Sequence, residues 1–462
     1  MNQGRCSRRA EPSEVLVPSD FRVEVVAQSL NLPIRLALSP GGEIYVAEMG
    51  LNVGQRLVPA RIVQVYPDGQ LTQIAAGFQG TVTALAFHDG RFLVGENDWP
   101  GRIVRVNADG TKETLVSGLP GGGDHPTNGI VFGPDGKIYF GQGTVTNAGV
   151  IGPDNFEIGW LTKRPDAHDV PGTDIVISEQ NFVTIQDPLS PIAGEKATTG
   201  PFVPFGTAIS GDTVIRGSRK CSGSILRANP DGSDLELVAW GLREAFGIAF
   251  SHDGRLFCVE NGMENRGSRP IRGDVDRLWE VRRGAWYGWP DFAGGEPVTD
   301  PRFQPKGAPR LRFLLRDHPT LAGAPLLRFP SLSGVAGLDF CPRGPFGFEG
   351  QAFICLAGDY APHVPALRGT SMSNRIVRAD LNTGQMEAFA SNERAGPASA
   401  SGSGGLERPV DVKFDSSGEA MYVLDYGVVD STRSGPQPVE GTGVLWRIRR
   451  RRVYTPGFGG PR

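Results

Sequence analysis

One two-strand element recurs six times along this chain, and that repetition dictates its architecture. The element is an apolar strand, a turn containing glycine, and a second apolar strand. It reads LALSPGGEIYVAE from Leu36, LAFHDGRFLVGE from Leu85, IVFGPDGKIYFGQG from Ile130 and IAFSHDGRLFCVENG from Ile248. Looser copies are LDFCPRGPFGFEGQAFICLAG from Leu338 and VKFDSSGEAMYVLDYG from Val412. A second element alternates with the first: RIVQVYPDG from Arg61, RIVRVNADG from Arg102, SILRANPDG from Ser224, RLWEVRRGA from Arg277, RIVRADLNTG from Arg375 and VLWRIRR from Val444. Several of these copies are followed by a further strand, such as LTQIAAGF or DLELVAWGL.

The unit is therefore four strands, a to d from the centre outward, with short Asp-Gly or Asn-Gly turns at the a–b and c–d joins. Glycine supplies the positive φ such turns need, and aspartate accepts local hydrogen bonds. The spacing from Arg61 to Arg102 matches the roughly 40–45 residues of a four-stranded propeller blade. Six such sheets arranged radially predict an all-β fold, a six-bladed β-propeller, which leaves few exposed edges. The last copy lacks its d strand, and FRVEVVAQSL from Phe21 has the pattern to supply it and close the ring. The expected domain is one propeller over residues 21–450, with tails at 1–20 and 451–462.

Two stretches break the regularity. Residues of about 144–223 read as a long b–c join in blade three, and about 290–334 as a bridge between blades four and five. Since d–a and b–c joins emerge on one face of a propeller, one face is expected to be trimmed and the other elaborated. Binding residues favour loops positioned by a rigid scaffold.

Composition narrows the function. Glycine (64) and proline (37) make up more than a fifth of the chain, while 39% of residues are hydrophobic. That combination fits many short strands rather than disorder. A net charge of −3 gives no basis for a nucleic-acid partner, and the arginines from Arg449 to Arg452 read as a solvated tail strand. No apolar run approaches the length of a membrane span, and no secretion signal is visible at the start. The five cysteines, Cys6, Cys221, Cys258, Cys341 and Cys355, lack metal-ligand spacing and read as buried thiols.

The d–a joins aim residues at the mouth of the central channel. Blade three brings GGGDHPTNG, blade four GLREAFG and blade six GLERPVD. His125, Arg243 and Arg408 thus fall at equivalent places, one potential general base and two cations. His125 could take a proton from a hydroxyl, with Asp124 orienting it or touching a ligand. Each could equally serve the fold, His125 by a hydrogen bond in its loop and the arginines by ion pairs. The blade-four b–c join, VENGMENRGSRPIRGDVDRLWE, carries Asn261, Gly262, Glu264, Asp274 and Asp276. Oxygen ligands beside glycine-freed carbonyls suit Ca²⁺, although the spacing is not that of an EF-hand. A solvated acidic loop is the alternative.

At these residues the chain resembles the soluble glucose/sorbosone dehydrogenase family of quinoproteins. DHPTNGIVFGPDGKIYFGQG from Asp124, GLREAFGIAFSHDGRLFCVENG from Gly241, and WEVRRGAWYGWPDF from Trp279 carry the likeness in the right order. The resemblance implies a six-bladed propeller that binds pyrroloquinoline quinone (PQQ) over the channel together with Ca²⁺. It implies oxidation of a sugar or related alcohol or aldehyde: His125 takes the hydroxyl proton and hydride passes to the quinone. Asp124 would contact or orient, Arg243, Arg408, Glu244 and Asn128 would lie against the cofactor, and Asn261, Gly262, Asp274 and Asp276 would lie near the metal. It further implies an external electron acceptor and a setting outside the cytoplasm.

The chain departs from the family at Glu244, where an asparagine is usual, and at Val410, where a second arginine is. No lysine stands near Gly358 and Asp359, and His363 is not an equivalent. The blade-three insertion adds Trp160, Arg164, His168 and Lys220 as alternative contacts. Two other readings stay open here: a Ca²⁺-dependent lactonase, and a carbohydrate-binding propeller without catalysis.

Overall fold

The computed structural model describes residues 8–53, 56–359, 373–432 and 435–451. Six four-stranded antiparallel sheets surround a central axis. Blade one is Pro33–Leu38, Ile44–Glu48, Arg61–Val65 and Leu71–Ala76, from inner strand to outer. Blade two runs from Thr81–His88 to Lys112–Leu119, and blade three from Thr127–Phe132 to Glu236–Trp240. Blade four begins at Ala245–Phe250, and blade five spans Val335–Phe340 to Gln385–Asn392. Every copy of the repeat forms the strands expected of it. The alternating side chains fill the spaces between blades, and the largest core cluster joins blades five, six, one and two.

Ring closure follows the sequence pattern. Phe21–Leu30 is the outer strand of blade six, pairing with Gly443–Arg450 from Phe21↔Arg450 to Leu30↔Gly443. Phe21 is buried against Phe346, Phe348 and Phe389. The terminal arginines act within the fold: Arg447 and Arg449 pair with Glu24, and Arg450 pairs with Asp20. Arg452 lies outside the described residues, as do His363 and Cys6. The segment before the ring is also seated, since Val15–Leu16 adds a fifth strand to blade five. Cys221, Cys258, Cys341 and Cys355 are buried free thiols. Among the described residues no helix is long and apolar enough to cross a membrane.

One expectation is corrected. The irregular stretch after Pro290 is not a bridge between blades. Leu327–Phe329 is the outer strand of blade four, paired with Asp276–Glu280, so the long segment before it is that blade's c–d join. It climbs the outside of blade three, where Gly284, Tyr287 and Trp289 donate to the carbonyls of Val238, Trp240 and Gly241 at 2.7–2.9 Å. There it meets the blade-three insertion: Trp289 Nε1 donates to the Asn147 carbonyl (3.0 Å). A loop leaving the trimmed face has crossed to the elaborated one, where apolar residues of both insertions pack in one cluster with Trp240, Met263 and Ile271. The YGWP motif is the strap that binds them.

Candidate functional site

The d–a joins are held by acids at the ends of the second strands. Glu260 accepts the Arg243 backbone N–H (2.6 Å) and the Trp279 indole (2.7 Å). Asp425 accepts the N–H groups of Glu407 (2.7 Å) and Arg408 (2.8 Å). In blade three Gln142 takes this place, accepting from Thr127 Oγ1 and donating to the Pro120 carbonyl. The repeat thus fixes the backbone from which the site's side chains project.

His125 is buried, and its Nδ1 lies 3.0 Å from the Thr144 carbonyl and 2.9 Å from Thr144 Oγ1. Thr144 Oγ1 directs its own proton to the Thr146 carbonyl (2.6 Å). Nδ1 must therefore carry the hydrogen, which leaves a lone pair on Nε2. Nε2 makes no hydrogen bond with any described residue. Burial, then the Arg243 charge, push the His125 pKa down to about 3, so the imidazole is neutral. Gly143 permits this seat, because a Cβ there would stand 2.4 Å from His125 Cβ. Asp169 braces the seat from behind, accepting from Val145 N (2.7 Å), Thr146 N (3.1 Å) and Thr146 Oγ1 (2.5 Å).

Asp124 spends both carboxylate oxygens on partners within the protein. Its Oδ1 accepts from Asn155 Nδ2 (2.9 Å) and Trp160 Nε1 (2.7 Å), and its Oδ2 lies 2.8 Å from Arg266. Burial pushes its pKa up, but Arg266 and its other neighbours, the Trp160 N–H among them, together hold it below the usual carboxylate value. The acid therefore clamps the insertion, whose short helix Pro153–Ile158 supplies Asn155, against the wall of the site. Arg266 also meets Asp154 (2.6 Å) and Glu264 (2.7 Å). The second oxygen of Glu264 holds Arg243 Nη2 at 2.8 Å. Arg243 is buried, with a long Nη1 contact to the Asn261 carbonyl (3.4 Å) and no partner for Nε.

Glu244 follows Arg243 at the start of the inner strand, and burial pushes its pKa up to about 7. The amides of Asn128 (3.4 Å) and Asn261 (3.2 Å) point at its carboxyl group, and Asn128 Oδ1 is buried without a partner. Arg408 occupies the corresponding joint of blade six and donates to the Asp359 carbonyl at 2.7 Å. Below this level Arg35 crosses the channel, donating to the carbonyls of Thr83 (2.9 Å) and Phe246 (2.8 Å). The channel thus has a mouth and a floor.

The acids of the expected metal set are engaged within their own loop. Asp274 accepts from Met263 N and Val275 N and pairs with Arg277. Asp276 accepts from Gly262 N (3.0 Å) and Gly334 N (2.7 Å), and burial pushes its pKa up to about 7. A Cβ on Gly262 would already meet Val275 O, Arg277 and Asp274. Asn261 donates its amide to Glu244 and Val335 O. These acids staple their loop through backbone N–H groups, so no three His, Cys, Asp or Glu side chains are grouped to hold an ion among the described residues. Where Asp124, Asp154 and Glu264 do converge, Arg266 supplies the positive charge.

Of the insertion residues picked from the sequence, Trp160 reaches the site through Asp124. Arg164 pairs with Asp98 (2.7 Å), and His168 Nδ1 lies 2.9 Å from the Asp166 carbonyl. Lys220 packs against Gly118. Sequence reasoning missed Thr144, Asp154, Asn155, Asp169 and Arg266, which contact the site across long separations and belong to no motif.

Comparison with known proteins agrees with this architecture. The chain is 23% identical over 301 residues to quinoprotein glucose dehydrogenase B of Acinetobacter calcoaceticus, covering 60% of this chain and 53% of that protein. The chain thus matches about half the length of this curated relative. No family model matches it. The PQQ-bound aldose sugar dehydrogenase of Streptomyces coelicolor superposes with a TM-score of 0.51 at 17% identity, over 94% of this chain and 99% of that one. The holo PQQ domain of pyranose dehydrogenase from Coprinopsis cinerea gives 0.57 at 14%, over 97% and 99%. At these identities the structural likenesses establish the fold, the six-bladed propeller.

Proposed function

We propose that this protein is a quinoprotein dehydrogenase that oxidises the hydroxyl group of a sugar or related alcohol or aldehyde, using PQQ held at the channel mouth. The observation that carries the reading is His125: a neutral imidazole, fixed through Nδ1 by Thr144, with its Nε2 lone pair open. Two features of the mouth fit the cofactor. Arg243 has a buried Nε with no partner, and Asn128 has an unmatched buried Oδ1. A ligand bearing both carboxylates and N–H or O–H groups satisfies both. Bound there, PQQ supplies the acceptor for the substrate's hydride.

The chain's own residues do the rest. His125 Nε2 takes the hydroxyl proton, and its hydrogen bond to Thr144 keeps the ring from rotating away. Arg243 and Arg408 bind carboxylate oxygens. Glu244, held partly protonated at neutral pH by its burial, limits the negative charge at the mouth and can donate a hydrogen bond. Asp124 acts through Arg266 and the insertion rather than on the substrate. A calcium ion at this mouth would draw on backbone carbonyls, since Asp274 and Asp276 are committed to their loop. An external acceptor would reoxidise the cofactor.

The test is reconstitution with PQQ and Ca²⁺ followed by dye reduction over a panel of aldoses. Turnover that disappears in His125→Ala supports the proposal. Absence of PQQ binding and of turnover by the wild-type protein refutes it.

A further inference from the structure

We infer that Arg266 is a positioning residue, a side chain that holds His125 of blade three and Arg243 of blade four in a fixed mutual arrangement. The inference rests on the dehydrogenase reading of this site, and neither the repeat nor the family motifs point to this residue. Arg266 lies in the blade-four b–c join with its side chain 16% exposed. It pairs with one carboxylate from each of three segments. Asp124 adjoins His125 in the blade-three d–a join, Asp154 belongs to the insertion helix, and Glu264 shares the join with Arg266 itself. The other oxygen of Glu264 grips Arg243. Two of the three arms therefore end on the site: Arg266–Asp124 beside the base, and Arg266–Glu264–Arg243 at the cation.

The charges explain why a single guanidinium matters. Without it, Asp124, Asp154 and Glu264 face one another, buried, with Arg243 as the neighbouring cation. Such a cluster disperses, takes up protons or admits water. Any of these releases the join that carries His125 and lets Glu264 turn wholly onto Arg243. A guanidinium spreads its donors over a planar fork and can meet three carboxylates at once, whereas an ammonium is a compact point charge. The groups acting electrostatically on His125 are Arg243, Asp124, Arg266 and Glu264, and three of these four are Arg266 itself or carboxylates paired with it.

The experiment uses Arg266→Gln and Arg266→Lys in the full chain. The first readout needs no cofactor: the ¹H–¹⁵N spectrum of the imidazole rings, with His125 assigned by its loss in His125→Ala. In the wild type His125 shows one neutral Nδ1–H tautomer from pH 5 to 8. In Arg266→Gln its signals shift, and the ring begins to titrate within that range. The second readout is turnover of the PQQ-loaded protein. A displacement of about 1 Å at a reacting group costs on the order of 100-fold. Arg266→Gln should lose kcat on that scale, with KM for the sugar changing no more than about threefold, and Arg266→Lys should fall between it and wild type. A folded Arg266→Gln with the wild-type imidazole spectrum and kcat overturns the inference, even if its Tm is lower. Should Arg266→Gln fail to fold, a wild-type spectrum and kcat in Arg266→Lys overturn it equally. If the loaded wild type turns over no sugar, the proposed reaction fails while the imidazole spectrum still decides the role of Arg266.

Discussion

Truncating Phe21 should weaken the ring far more than removing the charges beside it. Phe21 starts the strand that closes blade six, with 1% of its surface exposed. Its ring lies 4.8 Å from that of Phe346 and 5.1 Å from that of Phe389. Deleting a buried phenylalanine costs about 3–5 kcal/mol through lost transfer energy and the cavity left behind. Glu24, three residues on, pairs with Arg22, Arg447 and Arg449. Its side chain is 25% exposed and the arginines 34–47%, and pairs this wet contribute about 0.2–1 kcal/mol each. An unfolding entropy of about 2.1 cal/mol/K per residue makes 1 kcal/mol worth about 1 °C in a chain this long. Calorimetry of Phe21→Ala should therefore show a Tm about 3–5 °C lower, and of Glu24→Ala, summed over its three pairs, about 0.6–3 °C lower. In about 0.5 M salt the Glu24→Ala difference should shrink while that of Phe21→Ala persists. Equal losses in the two variants, or a Phe21→Ala loss that salt erases, would refute closure by apolar packing.

Other consequences are equally direct. Burial and the Arg243 charge lower the pKa of His125 in the folded protein to about 3, below the 6.5 of a free imidazole. Its contribution to stability is therefore full above pH 6.5 and is lost as pH falls toward 3, by about 5 kcal/mol in all. Acid unfolding of His125→Gln should be correspondingly less steep. Gly143→Ala forces a methyl group against His125 Cβ and should cut kcat roughly 100-fold while the protein stays folded by circular dichroism. Asp169→Ala strands the donors of Val145 and Thr146 at about 1–3 kcal/mol each, and amide exchange around Thr144 should accelerate. Chelating Ca²⁺ from the cofactor-free protein should leave its Tm within about 1 °C, because Asp274 and Asp276 are satisfied by backbone N–H groups.

Much of the site was legible because it is tied to the repeat. His125, Arg243 and Arg408 each precede an inner strand, and a shared frame puts such residues at one face. Their environments were not legible. Asp124 reads as orienting His125 or touching a ligand, and its oxygens go to Asn155, Trp160 and Arg266, partners the sequence does not show. Asp274 and Asp276 have the composition of a calcium loop, but composition cannot say whether a carboxylate faces an ion or a backbone N–H. The stretch after Pro290 lacks the repeat's pattern, so its outer strand, only Leu327–Phe329, was hidden.

The sequence by itself determined the blade number, the strand order and the closing strand. Those follow from period-two alternation and turn chemistry, which are local and repeat six times. Only the tertiary structure decided which charges meet. Arg266 joins residues 124, 154 and 264, and burial then sets which of the neighbouring groups hold protons. Pairing across such separations depends on how the blade-three insertion packs against the loops of blades three and four, and no local pattern along the chain encodes it.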